Sequence, residues 1–225
     1  MRVFACTVIL IAACVAGFGQ AKRGYLRNDG KGANHNMVYI DYDRHSKYYD
    51  LVADFNFTPA GLQAYRDGIK LIKGKSTAPF SKKDITGLPL KWCPLLVYQS
   101  EPFIYYPANP ENNYRMAFND TTCIEYRADK VTVSQLLSVK KTKDHTYSIV
   151  RLGADKKSTT IIVHVVDSKN GMAIFENLIP GVKYTLMAPA QNIHQFEIIV
   201  NYSKNHKAPE YPFAVPDLRN IIGKI

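Results

Sequence analysis

The residue types that most often carry chemistry are thinly spread along this chain of 225 residues. A zinc site needs histidine or cysteine ligands at short, defined spacings. None of the six histidines has such a spacing to another histidine or to a cysteine of the predicted mature chain: His35, His45, His145, His164, His194 and His206. The Gly-x-Ser-x-Gly, phosphate-loop and His-Glu-x-x-His motifs are also missing from the sequence. We therefore predict no zinc site and no common catalytic machinery.

The densest group of carboxylates lies between residues 41 and 54, and consists of Asp41, Asp43, Asp50 and Asp54. Alternation along a strand would place Asp41 and Asp43 on one face. Calcium binds several oxygen ligands, but the spacing is not that of a calcium loop, so solvated turn carboxylates are favoured over a weak calcium site. The sequence thus predicts a protein that is not an enzyme, with no catalytic residue, cofactor or metal.

The first 19 residues predict a secretory signal peptide. Arg2 is followed by an apolar run from Val3 to Gly17 and then by small residues. This run is shorter than the roughly 20 residues that span a bilayer, so we predict a secreted, extracellular protein without a membrane span. Cleavage is expected after Gly19 or Ala21.

Two cysteines, Cys93 and Cys123, follow the predicted signal peptide. In an oxidising compartment they most simply form a disulfide, which would contribute about 3 kcal/mol if it is unstrained. The alternative is two buried free thiols. Three glycosylation sequons fit the same compartment, and they begin at Asn56, Asn119 and Asn201.

The chain is basic, with a formal net charge of +10. Without Arg2 it keeps 28 basic against 19 acidic residues, spread over both halves. Such a surface attracts anions by long-range electrostatics, so the expected partner is an extracellular protein or an acidic matrix polymer and not nucleic acid. The alternative is that the excess lysine only keeps a β protein soluble.

The first half of the mature chain predicts a tyrosine-rich β domain over residues 37–126, after a mobile leader over residues 20–36 that has no apolar period. Two strands are expected at Met37–Tyr42 and Tyr49–Phe57, and four more between residues 90 and 126. Thr58 and Pro59 are typical of a helix start, and apolar residues at spacings of three and four predict one helix near residues 59–73.

The second half predicts six short strands over residues 127–203, with turns about every ten residues. This spacing is typical of a sandwich of two antiparallel sheets. A proline-containing tail, residues 204–225, is expected to be extended. The predicted fold class is mainly β, in two domains.

One turn in the second half carries a resemblance to a known module. Leu178-x-Pro180-Gly181-x-x-Tyr184 resembles the corner before the penultimate strand of fibronectin type III domains, in which the tyrosine hydroxyl bonds back to the upstream chain. The resemblance covers residues 127–203 and implies a sandwich that binds other proteins. It departs from the family at the core tryptophan, because the single tryptophan, Trp92, lies far upstream.

These observations lead to two main hypotheses about function. The first is a secreted, non-enzymatic structural or adhesive protein of an extracellular matrix, including a mineralised shell matrix. The alternative is a soluble lipocalin-like carrier, whose strands close into one barrel around a small apolar ligand. A secreted receptor-binding modulator is a third hypothesis that the sequence does not separate from the first.

Overall fold

The computed structural model describes residues 23–29, 35–76, 78–128, 130–204 and 208–223, and the predicted signal peptide lies outside them. Within these ranges the chain forms twelve strands and three α-helices. The strands are β1 Arg23–Asp29, β2 Asn36–Asp41, β3 Lys91–Tyr98, β4 Glu101–Tyr106, β5 Tyr114–Phe118, β6 Thr122–Arg127, β7 Lys130–Lys143, β8 Thr146–Leu152, β9 Ser158–Asp167, β10 Met172–Ile179, β11 Val182–Pro189 and β12 Glu197–Ser203. The helices are α1 Lys47–Val52, α2 Pro59–Lys75 and α3 Leu218–Ile222, and short 3-10 turns lie at Pro110–Asn112 and Ala190–Gln195.

Eight of the described strands close into an antiparallel barrel. From β5 to β11, each strand pairs with the next one along the chain through a short turn. The first residues of β3 pair with both β11 and β5 and so close the ring. Closure leaves no unpaired edge along these strands.

The inward faces of the barrel strands form a packed apolar core. Trp92 lies edge to face against Phe175, with ring centroids 4.9 Å apart, and the fully buried Met116, Leu136 and Ile149 belong to the same cluster. A barrel of eight strands is just wide enough for side chains to fill it. The interior is therefore occupied by the protein's own side chains.

The prediction of a sandwich over residues 127–203 was wrong, because β7 to β11 belong to the barrel and β12 pairs with β2 and β4 in a second sheet. Alternation and turn spacing are the same in both architectures, so the local pattern does not separate them. The difference lies in β3, a strand from the first half that joins the two ends of the meander. The boundary predicted between residues 126 and 127 falls within the barrel, at the paired strands β6 and β7.

A second sheet, with the strand order β1-β2-β12-β4-β3, grows out of the barrel through β3. Residues Leu95–Tyr98 leave the barrel and pair with β4. One apolar cluster joins the sheet, α1 and the outer barrel wall. The opposite face of the sheet is covered by the C-terminal tail, where Phe213 packs edge to face on Tyr105. Residues 208–217 of this tail form no helix, and the short helix α3 follows them.

Two local predictions before residue 58 were wrong. Residues Arg23–Asp29, assigned to a mobile leader, form β1 and pair with β2. The strand predicted over Tyr49–Phe57 is replaced at its start by α1. Tyr49 and Val52 are both buried, and only a helix places residues three positions apart on one face.

The helix predicted near residues 59–73 is confirmed as α2. Its start follows the expected chemistry, because the Oγ1 of Thr58 accepts a hydrogen bond from the Gly61 N–H at 3.0 Å and Pro59 is the first helical residue. The helix packs along β7 on the outside of the barrel.

Replacing Gly68 with alanine should destabilise the protein, although alanine is the better helix former. A Cβ at this position would lie 2.4 Å from Cγ1 of the buried Val133. Such overpacking costs about 1–3 kcal/mol, which outweighs the gain of at most about 1 kcal/mol in helix propensity.

Gly74 in the same helix is the matched control, because a Cβ there would meet no atom within 4 Å. We expect Gly74→Ala to raise the free energy of unfolding in urea by up to about 1 kcal/mol, and Gly68→Ala to lower it. The same sign for both substitutions would contradict the close packing of α2 on β7.

Candidate functional site

A cavity of about 620 Å³, which we call the mouth cavity, opens at one end of the barrel. It is lined by residues 177–183 of the β10–β11 hairpin, by Thr159 and Thr160 at the start of β9, and by Arg151 from β8. Apolar side chains and two cationic groups, Arg151 and Lys183, dominate this lining, and it includes no aspartate or glutamate among the described residues.

The corner singled out in the sequence forms one wall of the mouth cavity. Ile179 pairs with Val182, so Pro180 and Gly181 are a two-residue loop. Gly181 has φ 79°, a left-handed conformation that glycine adopts at little cost. The sequence prediction of a tight proline-glycine turn is confirmed.

A β-bulge next to this turn directs the chain towards the barrel interior. Between Glu176 and Ile179 the strand β10 has one more residue than its partner β11. Asn177 in the bulge has φ 57°, and the following Leu178 is completely buried in the interior cluster.

Tyr184 does not make the corner contact that the resemblance implies. Its ring packs on the outer barrel cluster, and the Nζ of Lys183 lies 5.2 Å from its centroid. Among the described residues, its hydroxyl makes no hydrogen bond to the upstream chain. The resemblance to type III modules stays a prediction that rests on the turn alone.

The floor of the mouth cavity is the guanidinium of Arg151, which enters from β8. Its Nε donates to Oγ1 of Thr159 at 3.1 Å and its Nη2 donates to the Leu178 carbonyl at 2.9 Å. Its Nη1 contacts the Glu125 carboxylate and lies 3.7 Å from the Cys123 sulfur. These contacts tie β6, β8, β9 and the bulge of β10 together.

Arg151 and Glu125 form a buried ion pair, with 8% and 15% of their side chains exposed. Burial alone lowers the pKa of Arg151, but the nearby Cys123 and Glu125 outweigh it, so the pKa is raised. A buried charge is tolerated only when it is paired and hydrogen-bonded. The cavity floor is therefore a guanidinium whose charge is balanced by Glu125.

Tyr114 brings a further polar group into the same part of the interior. It is 6% exposed, and its hydroxyl has no hydrogen-bond partner among the described residues. Burial, followed by the charge of Glu125, raises its pKa well above the ordinary value. The phenol is therefore neutral and can donate a hydrogen bond.

The disulfide predicted between Cys93 and Cys123 is not formed, and both cysteines are buried free thiols. Their side chains belong to different apolar clusters, because Cys93 points to the outer wall and Cys123 to the barrel interior. Burial raises the pKa of each thiol to about 12. The alternative of two buried thiols describes this structure.

The three sequons differ in exposure. Asn201 is 0% exposed, and its Nδ2 donates to the hydroxyl of Tyr105 at 2.9 Å and to the carbonyl of Pro209 at 3.1 Å. This side chain has no room for a glycan, so the prediction for Asn201 was wrong. Asn56 is exposed and Asn119 is half-buried, and their glycosylation stays a prediction.

Three of the four carboxylates considered for calcium accept hydrogen bonds from backbone N–H groups two residues on, and Asp50 lies in α1. Asp41 is buried and accepts hydrogen bonds from the Ser46 hydroxyl at 2.8 Å and from the Asp43 N–H at 3.1 Å. Within the described ranges, no three histidine, cysteine, aspartate or glutamate side chains are grouped as metal ligands.

His164 is half-buried on β9. Its Nε2 lies 2.9 Å from Oε1 of Glu176.

Sequence reasoning missed the polar groups at the cavity floor. Arg151 and Glu125 are 26 positions apart and belong to no local motif.

Within the described part of the chain, no helix is long and apolar enough to cross a membrane. Comparison of the chain with protein-family models, with curated proteins and with solved structures gives no match.

Proposed function

We propose that this protein is a non-enzymatic carrier that binds a small amphipathic anion in the mouth cavity. The observation that carries the proposal is a cavity of about 620 Å³, with a largely apolar wall and two cationic side chains, at the end of a closed barrel. Binding sites for small molecules are commonly concave, mostly apolar and supplied with a few placed polar groups.

The size and charge of the mouth cavity define the ligand class. Its volume corresponds to about twenty water molecules at roughly 30 Å³ each, which is enough for a fatty acid of moderate length. Ile179, Pro180 and Val182 would contact the alkyl chain, and Val182 is 44% exposed in the free protein. Lys183 would attract the carboxylate, whereas the charge of Arg151 is already balanced by Glu125.

The ligand would lie at the barrel mouth and not within the barrel. Trp92 and Phe175 occupy the interior. This arrangement differs from the lipocalin-like hypothesis, in which the barrel encloses the ligand. The hypothesis of an adhesive matrix protein stays a prediction from the sequence. Its main support was a sandwich module, and the strands form a barrel instead. Secretion likewise rests on the signal peptide predicted for residues 1–19.

Titration with dodecanoate in a calorimeter tests this function. We expect one saturable site, and weaker binding of dodecanol, which has the same chain without the charge. Val182→Asp should reduce the affinity for dodecanoate at least about tenfold, since it places a like charge on the apolar wall. Lys183→Met should reduce it about two- to fivefold, as expected for an exposed ion pair.

Lys140→Met is the matched control, because Lys140 is an exposed lysine of β7 outside the cavity. It should leave the affinity unchanged. Absence of saturable binding to the unmodified protein would overturn the proposal, as would equal affinities of the Val182→Asp variant and the unmodified protein.

A further inference from the structure

A second arginine, Arg115, lies buried on the outer wall of the barrel, and no described carboxylate is in direct contact with it. It projects outward from β5, and it is 7% exposed. Its guanidinium carbon lies 5.9 Å from the centroid of the Phe55 ring and 5.7 Å from that of Tyr126. Two aromatic faces thus flank the cation and attract it by their quadrupoles.

Part of the hydrogen-bonding capacity of Arg115 is unused among the described residues. The Nε is buried without a partner, and no described carboxylate lies within 4.0 Å of the guanidinium. Burial lowers the pKa of Arg115, because this charge is held away from water, and the nearby charge of Asp54 opposes the shift without reversing it. Lys91 adds a like charge nearby, since its Nζ lies 5.3 Å from the same Phe55 ring. Arg151 in the barrel, by contrast, is fully paired.

Arg115 lines a cavity of about 270 Å³ on the outer wall. We call it the outer cavity. Its apolar wall includes Leu51 and Tyr106, and its polar groups are Asp54, Asn56, Thr58 and Asn113. The volume corresponds to about nine water molecules at roughly 30 Å³ each, so the cavity is large enough for a small metabolite.

The two charged groups of the outer cavity have opposite signs and are not paired with each other. Asp54 is exposed and accepts a hydrogen bond from the Asn56 N–H at 2.9 Å. A carboxylate beside Arg115 would use its free N–H donors, and an ammonium group on the same molecule would face Asp54. One small zwitterion can satisfy both groups, whereas a simple anion would be repelled by Asp54.

We propose that the outer cavity binds a small zwitterion of the α-amino-acid class, with its carboxylate on Arg115 and its ammonium group towards Asp54. The apolar wall at Leu51 and Tyr106 would receive an aliphatic side chain. This site is separate from the mouth cavity and uses different residues.

Three related probes with the same branched side chain test the proposal: L-leucine, 4-methylpentanoate, which lacks the ammonium group, and 3-methylbutylamine, which lacks the carboxylate. Titrations followed by NMR chemical shifts should show saturable binding of L-leucine at residues around Arg115. We expect 4-methylpentanoate to bind several-fold more weakly and the amine to show no saturation.

Substitutions separate the two charges. Arg115→Met should reduce the affinity for L-leucine at least about tenfold, as expected for hydrogen bonds to a charged group. It should change the melting temperature little, because the contacts with two aromatic rings that it removes are offset by the removal of a buried cation that has no direct ion pair. Asp54→Asn should weaken the binding of L-leucine but not the binding of 4-methylpentanoate. Arg66→Met, which removes an exposed arginine of α2 outside this cavity, is the control with the same change in charge.

Failure of all three probes to bind the unmodified protein would overturn the proposal, since Arg115 would then be solvated by water only. Equal or tighter binding of 4-methylpentanoate than of L-leucine would overturn the assignment to Asp54. Dodecanoate binding at the mouth cavity should be unaffected by Arg115→Met, so failure at one site is distinguishable from failure at the other.

Discussion

Replacing Arg151 with methionine should lower the free energy of unfolding by about 3–5 kcal/mol, because it leaves Glu125 as an uncompensated charge inside the barrel. The two side chains are 8% and 15% exposed, so water replaces the lost partner poorly. The same substitution also removes the hydrogen bonds to Thr159 and to the Leu178 carbonyl. Urea denaturation followed by tryptophan fluorescence measures the loss, since Trp92 lies in the same interior cluster.

The double variant Glu125→Leu with Arg151→Met separates the charge from the packing. Removing both members of a buried ion pair together is often neutral or stabilising, so the double variant should recover most of the lost stability. Arg66→Met, at an exposed arginine of α2, should change stability by less than about 0.5 kcal/mol. A double variant as unstable as Arg151→Met would mean that the pair acts through its hydrogen bonds to other groups and not through charge compensation.

The strands and the long helix could be predicted because their signals are local. Alternation marks β8 to β12, and the Thr58-Pro59 start with apolar spacings of three and four marks α2. Barrel closure could not be predicted, since it depends on pairing between β3 and strands from both ends of the meander. The edge strand β1 was missed because a polar, exposed strand has no apolar period.

The site was only partly predictable. The proline-glycine turn was found because Pro180 and Gly181 carry a local conformational signal. The buried ion pair had a weaker signal, which was overlooked: Glu125 alternates with Cys123, and Arg151 alternates with Ile149, so each charge occupies an inward position of an otherwise apolar strand. Which inward positions meet across the barrel depends on the register between strands, and one sequence does not provide it.

Neither Cys93 nor Cys123 should react with iodoacetamide in the folded protein at pH 8. The thiolate is the reactive form, and burial raises the pKa of both thiols from 9.0 to about 12. The thiolate fraction is therefore about a thousandfold below that of an exposed cysteine, because each pKa unit is a factor of about ten. In addition, the two residues are 0% and 1% exposed, so the reagent cannot reach the sulfur without local unfolding.

Unfolding in guanidinium without a reductant should make both cysteines reactive, and peptide mass mapping assigns each label to Cys93 or Cys123. A disulfide would instead give unlabelled cysteines in guanidinium and labelled ones only after reduction, which would contradict the free thiols.

The raised pKa values of the two thiols also determine how the stability of the protein changes with pH. The folded state holds these protons more tightly than the unfolded chain, so this contribution to stability is present below about pH 9 and is lost as the pH rises towards 12. Alkaline unfolding should therefore coincide with the onset of labelling, because both events expose the same two buried thiols.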